Sequence, residues 1–373
     1  MKTRSILLTI ATLFLLYCLL CFPQALLQKS IQSVDLWFHN VLPSLFPFLT
    51  ATGILIRLGV AHKIGHFFQP IMKPLFGISG ICAFPLILGM ISGYPSGAKI
   101  TVTLCQKNAL SQKDAQRILS FCNNAGPLFV VGTVGTAFLN HPAMGYYMLF
   151  CIFSGALLTG ILFRFFYTNQ KNDIITKYHY NISPTTETTG KILADSVSDA
   201  METVTQIGGF IILFGVIIES LHQTGIITYI AKSLSAILSL SIYDIEGILG
   251  GILEMTNGAA LLSQSSSSIQ IQLTCITAIL SFGGLSILAQ TLGILSPISV
   301  SSAKYIFSKC VNSILSAFIC YFCYALFENK LIKAVFADSF ASKTASYYYI
   351  FVFGILFLSL ALLLLSINYF YQK

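Results

Sequence analysis

The chain has 373 residues, of which 55% are hydrophobic and only 9% charged, with a formal net charge of +8 and a mean hydropathy of +0.80. An ordinary soluble domain carries about 25% charged residues, so a water-facing surface cannot be built from this inventory and a soluble globular class is excluded. The positive charge forms no basic cluster interleaved with aromatics, which excludes nucleic acid as a partner and leaves the lipid bilayer as the main one.

Ser5 to Phe22 follows Lys2 and Arg4 and lacks a small-residue cleavage pattern, so it reads as a retained first helix, not a signal peptide. Asp35 to Ile56 reads as a second span, kinked by Pro43 and Pro47 because each removes a backbone donor. Arg57 to Phe76 is too polar to cross and sets Lys63, His66 and Lys73 against Ile64, Phe67 and Phe68, the pattern of an interfacial amphipathic helix.

Gly80 to Leu110 is apolar but interrupted by Gly-Met-Ile-Ser-Gly-Tyr-Pro-Ser-Gly-Ala-Lys (Gly89 to Lys99), which predicts a re-entrant hairpin. Ala115 to Leu139 has a polar centre from Phe121 to Pro127 and predicts a helix unwound at mid-membrane. Ala143 to Tyr167 is an ordinary span, and Asn172 to Glu202 reads as a polar linker.

After the linker the order returns: a span at Thr203 to His222, an amphipathic segment at Gly225 to Ser241, a Gly-rich interrupted segment at Tyr243 to Gln264, a Gly-interrupted span at Ile269 to Leu295, and a span at Ser301 to Phe327. Tyr347 to Tyr369 predicts a last helix outside the repeat. Gly89, Gly97, Leu119, Ser120 and Phe121 match Gly250, Gly258, Leu280, Ser281 and Phe282 at one offset (250 − 89 = 161), the mark of an internal repeat.

The fold expected is therefore an all-α polytopic membrane protein with about eight transmembrane helices plus two re-entrant hairpins in two inverted repeats. Its expected divisions are an N-terminal transmembrane helix over 1–30, a first repeat over 31–170, a cytoplasmic linker over 171–202, a second, inverted repeat over 203–328, and a C-terminal linker and helix over 329–373. With the N-terminus inside, Arg57, Lys63, Lys73, Lys113, Arg117, Arg164, Lys304 and Lys309 fall among the cytoplasmic charges. Lys29, Lys232, Lys330, Lys333 and Lys343 fall outside, which obeys the positive-inside bias.

Inverted hairpins and broken helices converge near the midplane and aim half-helix N-termini, with free N–H groups, at anionic ligands. The candidate substrate-binding residues are accordingly Tyr94, Ser96, Gly97, Lys99, Asn123, Asn124, Thr256, Asn257 and Ser286, with Glu254 and Gln290 as candidates for a coupling ion. Lys99 and Glu254 stand out because an ionisable group at membrane depth costs several kcal/mol (~3) unless paired, hydrated or used; Lys99 snorkelling to the interface and a Lys99–Glu254 pair are both open at this level. The ten cysteines lie in apolar stretches as small buried hydrophobes, and Cys320 and Cys323 stand as a lone pair without nearby His, so no metal is expected. No nucleophile, metal set or acid/base pair has catalytic spacing, so an enzyme is not expected; nor is a cofactor, while a coupling cation (H+ or Na+) and a homo-oligomer stay open.

Leu88 to Lys99 (Leu-Gly-Met-Ile-Ser-Gly-Tyr-Pro-Ser-Gly-Ala-Lys) and Phe121 to Gly135 (Phe-Cys-Asn-Asn-Ala-Gly-Pro-Leu-Phe-Val-Val-Gly-Thr-Val-Gly) resemble the sporulation integral membrane protein YlbJ (SpoVV) family, over about Leu42 to Phe327. More distantly the chain is similar to the Gate, or nucleoside-recognition, domain group, whose arrangement is similar to concentrative nucleoside transporters. The resemblance implies a role in endospore formation, in the outer forespore membrane, carrying dipicolinic acid from mother cell towards forespore. A dicarboxylate suits helix N-termini plus Lys99, with Tyr94 available to stack on a pyridine ring.

Overall fold

The computed structural model describes residues 2–166, 188–238 and 241–327, and every regular element among them is helical. The predicted helix at Tyr347 to Tyr369 lies outside the described residues. Among the described residues four helices are long and apolar enough to cross a membrane, or up to six if each of two bent pairs is one span.

The chain opens with α1 (Lys2–Cys21), then turns by 107° into α2 (Pro23–Leu36). Pro23 has no N–H and a fixed φ, so a new helix starts there at no cost in hydrogen bonds. The second helix therefore begins well before Asp35. It continues through a π-helical segment, Trp37–Val41, into α3 (Leu42–Arg57), and the wider turn lets the Leu42 N–H reach the Trp37 carbonyl immediately before the prolines.

Next come the amphipathic α4 (Val60–Phe76), a 3-10 turn at Gly80–Cys82, and the first hairpin, α5 (Ala83–Ser92) and α6 (Ser96–Gln106). At about 1.5 Å per residue, hairpin arms of 10 and 11 residues reach roughly half of a 30 Å hydrocarbon core. The first broken helix is α7 (Gln112–Ile118), an irregular stretch, and a π-helical segment at Leu128–Phe138; α8 (Pro142–Phe166) follows.

The same order recurs in α9 (Thr189–Gln223), the amphipathic α10 (Ile226–Leu238), the second hairpin α11 (Ile242–Leu253) and α12 (Met255–Ser263), the broken pair α13 (Ile269–Phe282) and α14 (Gly284–Leu295), and α15 (Ser302–Phe327). The polar stretch 189–202 is thus the first part of α9 instead of linker. Thr188 caps it by accepting the Lys191 N–H, and its buried positions Ile192, Ser196 and Ala200 make one stripe at helical spacing.

Two compact units interleave along the chain. One is built from the described parts of Met1–Ile54, Glu187–Ser267 and Gly283–Gln290, the other from those of Leu55–Thr186, Ser268–Phe282 and Thr291–Lys373. In the first, α2 packs along α9, α3 meets α9 through Leu49, Ala200 and Val204, and Trp37 donates its indole N–H to the Val204 carbonyl at 2.9 Å. In the second, α8, α13 and α15 pack together: the Gly155 backbone meets Ser316, and Ser313 donates to the Ala278 carbonyl at 2.7 Å. Small residues and interhelical hydroxyls are the means by which helices associate in lipid, where burial from water gives no driving force.

A clasp closes the base of the second hairpin. Asp244 and Ser241 form a reciprocal cap at the start of α11, with the Asp244 N–H on Ser241 Oγ at 3.1 Å and the Ser241 hydroxyl on Asp244 Oδ2 at 2.6 Å. The Ser267 hydroxyl donates to Oδ2 at 2.5 Å and Ser265 donates to Oδ1, which ties the end of α12 back to the start of α11. Burial alone pushes the Asp244 carboxyl up, but these hydroxyls outweigh it and hold it below its ordinary value of 3.8. A depressed carboxylate adds stability that is present above the ordinary value and lost as pH falls through the lowered one. Asp244→Asn is therefore expected to lower the melting temperature of the detergent-purified protein at pH 7, by the equivalent of about 1.5–3 kcal/mol for charge-assisted hydrogen bonds. The gap to wild type should narrow below the ordinary carboxylate range; a gap that persists there would show that the charge is not what matters.

Candidate functional site

The candidate residues fall into two groups, one in each unit. The first gathers around the first broken helix. Its turn, Gly93-Tyr94-Pro95, is made by a glycine at φ +90°, and a Cβ on Gly93 would lie 2.5 Å from the Gly126 nitrogen. Gly89 and Gly97 both lie against the Cys122 carbonyl. The hairpin is thus seated on the unwound segment Leu119–Pro127, and only residues without side chains permit that approach.

Tyr94, Ser96, Asn123 and Asn124 are all buried there. The Tyr94 hydroxyl donates to the Leu280 and Ser281 carbonyls at 3.2 and 3.0 Å, satisfying the end of α13. Ser96 and Ser92 share a hydrogen bond of 2.7 Å. Asn123 donates to the Tyr305 hydroxyl at 2.9 Å and to Thr291 at 3.3 Å, while Asn124 donates to the Phe121 carbonyl at 2.7 Å. Lys99 stands on the first turn of α6 and is half-buried. No side chain caps α6.

Lys309 belongs to this group, and reading it as a cytoplasmic charge is corrected by its position. It is 1% exposed, and its ammonium donates to the Asn123 carbonyl at 2.8 Å and the Asn124 side-chain oxygen at 3.4 Å. It also stands 4.9 Å from the centre of the Tyr94 ring. Asn312, a turn further on, donates to the same Asn124 oxygen at 3.0 Å and to the Ser281 carbonyl at 3.4 Å. A signal for Lys309 was present: seven residues past Ser302 in an apolar helix puts it about 10 Å along the axis, where an ionisable group marks function by default.

The second group lies at the tip of the second hairpin. Glu254 ends α11 and caps α12: its carboxylate accepts the Thr256 and Asn257 backbone N–H groups, each at 2.9 Å, and the Asn257 side-chain amide at 3.0 Å. Asn257 in turn accepts Lys29 Nζ from α2 at 2.9 Å. Lys29, placed outside by the charge reading, is thus engaged with the hairpin. The expected free N–H groups at this tip are not free, because the chain's own carboxylate occupies the helix N-terminus.

Gly284, at φ +76°, opens α14 against the Gly251 and Leu253 carbonyls, and Ser286 and Gln290 follow, one turn apart and buried. The Gln290 amide reaches Ser286 Oγ at 3.4 Å, and its oxygen is buried without a partner. The structure brings together Tyr94, Ser96, Gly97, Asn123 and Asn124 in one unit, and Glu254, Thr256, Asn257 and the start of α14 in the other. The two tips differ in chemistry: the first carries Lys99 and a helix N-terminus without a side-chain cap, the second a carboxylate that caps one.

Comparison with known proteins agrees with this architecture. Residues 38–165 match the family model described as Gate, nucleoside recognition. The chain is 29% identical over 333 residues to "Sporulation integral membrane protein YlbJ" of Bacillus subtilis (strain 168), covering 85% of this chain and 82% of that protein. The fold is similar to that of a concentrative nucleoside transporter, CNTnw, solved with two substitutions in an outward-facing state: TM-score 0.50, 10% identity, 87% of this chain and 86% of that chain. At that identity the likeness concerns the fold alone. These matches bear out the resemblance read from Leu88 to Lys99 and Phe121 to Gly135: this is an integral membrane protein whose residues 38–165 match the Gate model and which is similar over most of its length to a sporulation membrane protein.

Proposed function

We propose that this protein is a carrier required for endospore formation, moving dipicolinic acid, an aromatic dicarboxylate, across the outer forespore membrane by alternating access. In this reading the N-terminus is cytoplasmic, the two repeats are inverted, and the tips of the two hairpins have unequal roles. The observation that carries the reading is the asymmetry of the tips. The N-terminus of α6 has no side-chain cap and bears the half-buried Lys99 on its first turn, whereas that of α12 is neutralised by Glu254. A substrate carboxylate is drawn to the first and repelled from the second. Tyr94 supplies an aromatic face and Asn123 and Asn124 supply amides beside it. The names of the relatives support a sporulation role and a carrier fold.

The test is uptake into proteoliposomes of radiolabelled dipicolinate against uridine, with a deletion strain in parallel. Dipicolinate uptake above that of empty liposomes is expected, together with dipicolinic acid that is synthesised in the mother cell but not loaded into the spore. Uridine uptake without dipicolinate uptake would move the substrate to nucleosides. Neither, with normal spore loading, would leave a membrane protein that does not transport.

A further inference from the structure

We propose that the Lys309 ammonium is a tethered cation that fills the first broken helix in place of a free monovalent ion, so that the carrier needs no alkali-metal ion at this break. Unwinding α7 after Ile118 leaves carbonyl groups without helical N–H partners, and within a membrane each must find a donor or a cation. Carriers built on broken helices use such carbonyls to coordinate Na+ or H+. Here an ammonium from α15 takes that position. It is 2.8 Å from the Asn123 carbonyl and 3.4 Å from Asn124 Oδ1, with the Tyr94 ring centre at 4.9 Å. Every one of these partners is neutral, and carbonyl oxygens and a π face are what a lone cation seeks when no carboxylate is supplied.

The surroundings hold more acceptor capacity than one lysine uses. Asn123 Oδ1 and Ser281 Oγ are buried without hydrogen-bond partners. Turning the Asn123 amide over would set its oxygen on the Tyr305 and Thr291 hydroxyls and leave its NH2 in the unpartnered position, so one end of this amide stays without a partner either way, and Ser281 Oγ is unaffected. Removing the lysine side chain would leave a vacancy beside the Asn123 carbonyl and Asn124 Oδ1, with the chemistry and room for ammonium or a small alkali ion.

The experiment is melting of the full-length protein in detergent, in choline, sodium and ammonium chlorides at equal ionic strength, with no substrate present. Wild type is expected to melt at the same temperature in all three. Lys309→Ala is expected to melt lower in choline and to regain about 3 °C or more in ammonium or sodium, saturating with concentration. A stabilisation by sodium over choline as large in wild type as in Lys309→Ala, or a folded Lys309→Ala indifferent to all three, would overturn the proposal. Should Lys309→Ala not fold, Lys309→Met decides: it fills the space without charge, so destabilisation in every salt supports the tethered cation and wild-type stability refutes it. The readout involves no substrate, so its failure is separable from failure of the dipicolinate reading.

Discussion

Gly93→Val is expected to abolish accumulation of folded protein in the membrane, whereas Gly250→Ala, in the second hairpin, is expected to be tolerated. Gly93 sits at φ 90°, ψ −168°, a region open to glycine and costing a side-chain-bearing residue about 1–3 kcal/mol. Its Cβ would also stand 2.5 Å and 2.7 Å from the Gly126 backbone. Backbone held between a π-helical segment and the polar network of Asn123 and Asn124 cannot move aside as a flexible side chain can, so overpacking adds roughly 1–3 kcal/mol. The sum is a large share of the roughly 5–15 kcal/mol by which an ordinary domain is stable. Gly250 occupies the repeat position of Gly89 (250 − 89 = 161), yet a Cβ there meets nothing closer than 3.7 Å, against 2.2 Å to the Cys122 carbonyl at Gly89. Yield and peak shape in size-exclusion chromatography after extraction check both variants. A wild-type profile for Gly93→Val would mean that the first hairpin is not seated on the break.

Glu254→Ala is expected to cost about 2 kcal/mol of stability, the upper range for loss of a helix N-cap, and to reduce uptake at least tenfold. Three N–H donors lose their acceptor at once, and Asn257, left without its carboxylate partner, no longer holds the position at which it accepts Lys29. Glu254→Gln should fall between, since one oxygen becomes an NH2 that faces a donor. Melting and uptake measured together separate two roles. If the carboxylate acts as a cap, stability and uptake fall in parallel. If it carries the coupling ion, Glu254→Gln keeps its melting temperature while uptake stops responding to an imposed pH or sodium gradient.

Much of the fold was legible without coordinates. Scarcity of charge demands lipid, and the Gly/Pro interruptions at Gly89 to Lys99 and Phe121 to Pro127 become a hairpin and an unwound helix, because local backbone chemistry alone forbids a continuous helix there. The 161-residue offset reappears as a repeated order of elements. The polar start of α9 was not legible: a stripe made by Ile192, Ser196 and Ala200 is weak evidence of helix among charged residues until α3 lies against it.

The site divides in the same way. Composition and spacing by themselves determined that this chain lives in a membrane and that its polar residues gather at two interrupted segments, since both follow from what each residue can do with its own neighbours in lipid. Only the tertiary structure decided the fate of the individual charges: that Lys309 is buried and holds the Asn123 carbonyl, that Lys29 reaches Asn257, and that Glu254 caps the helix that follows it. Which oxygen lies opposite an ammonium depends on helices far apart in sequence meeting in space, and residue order carries no such information.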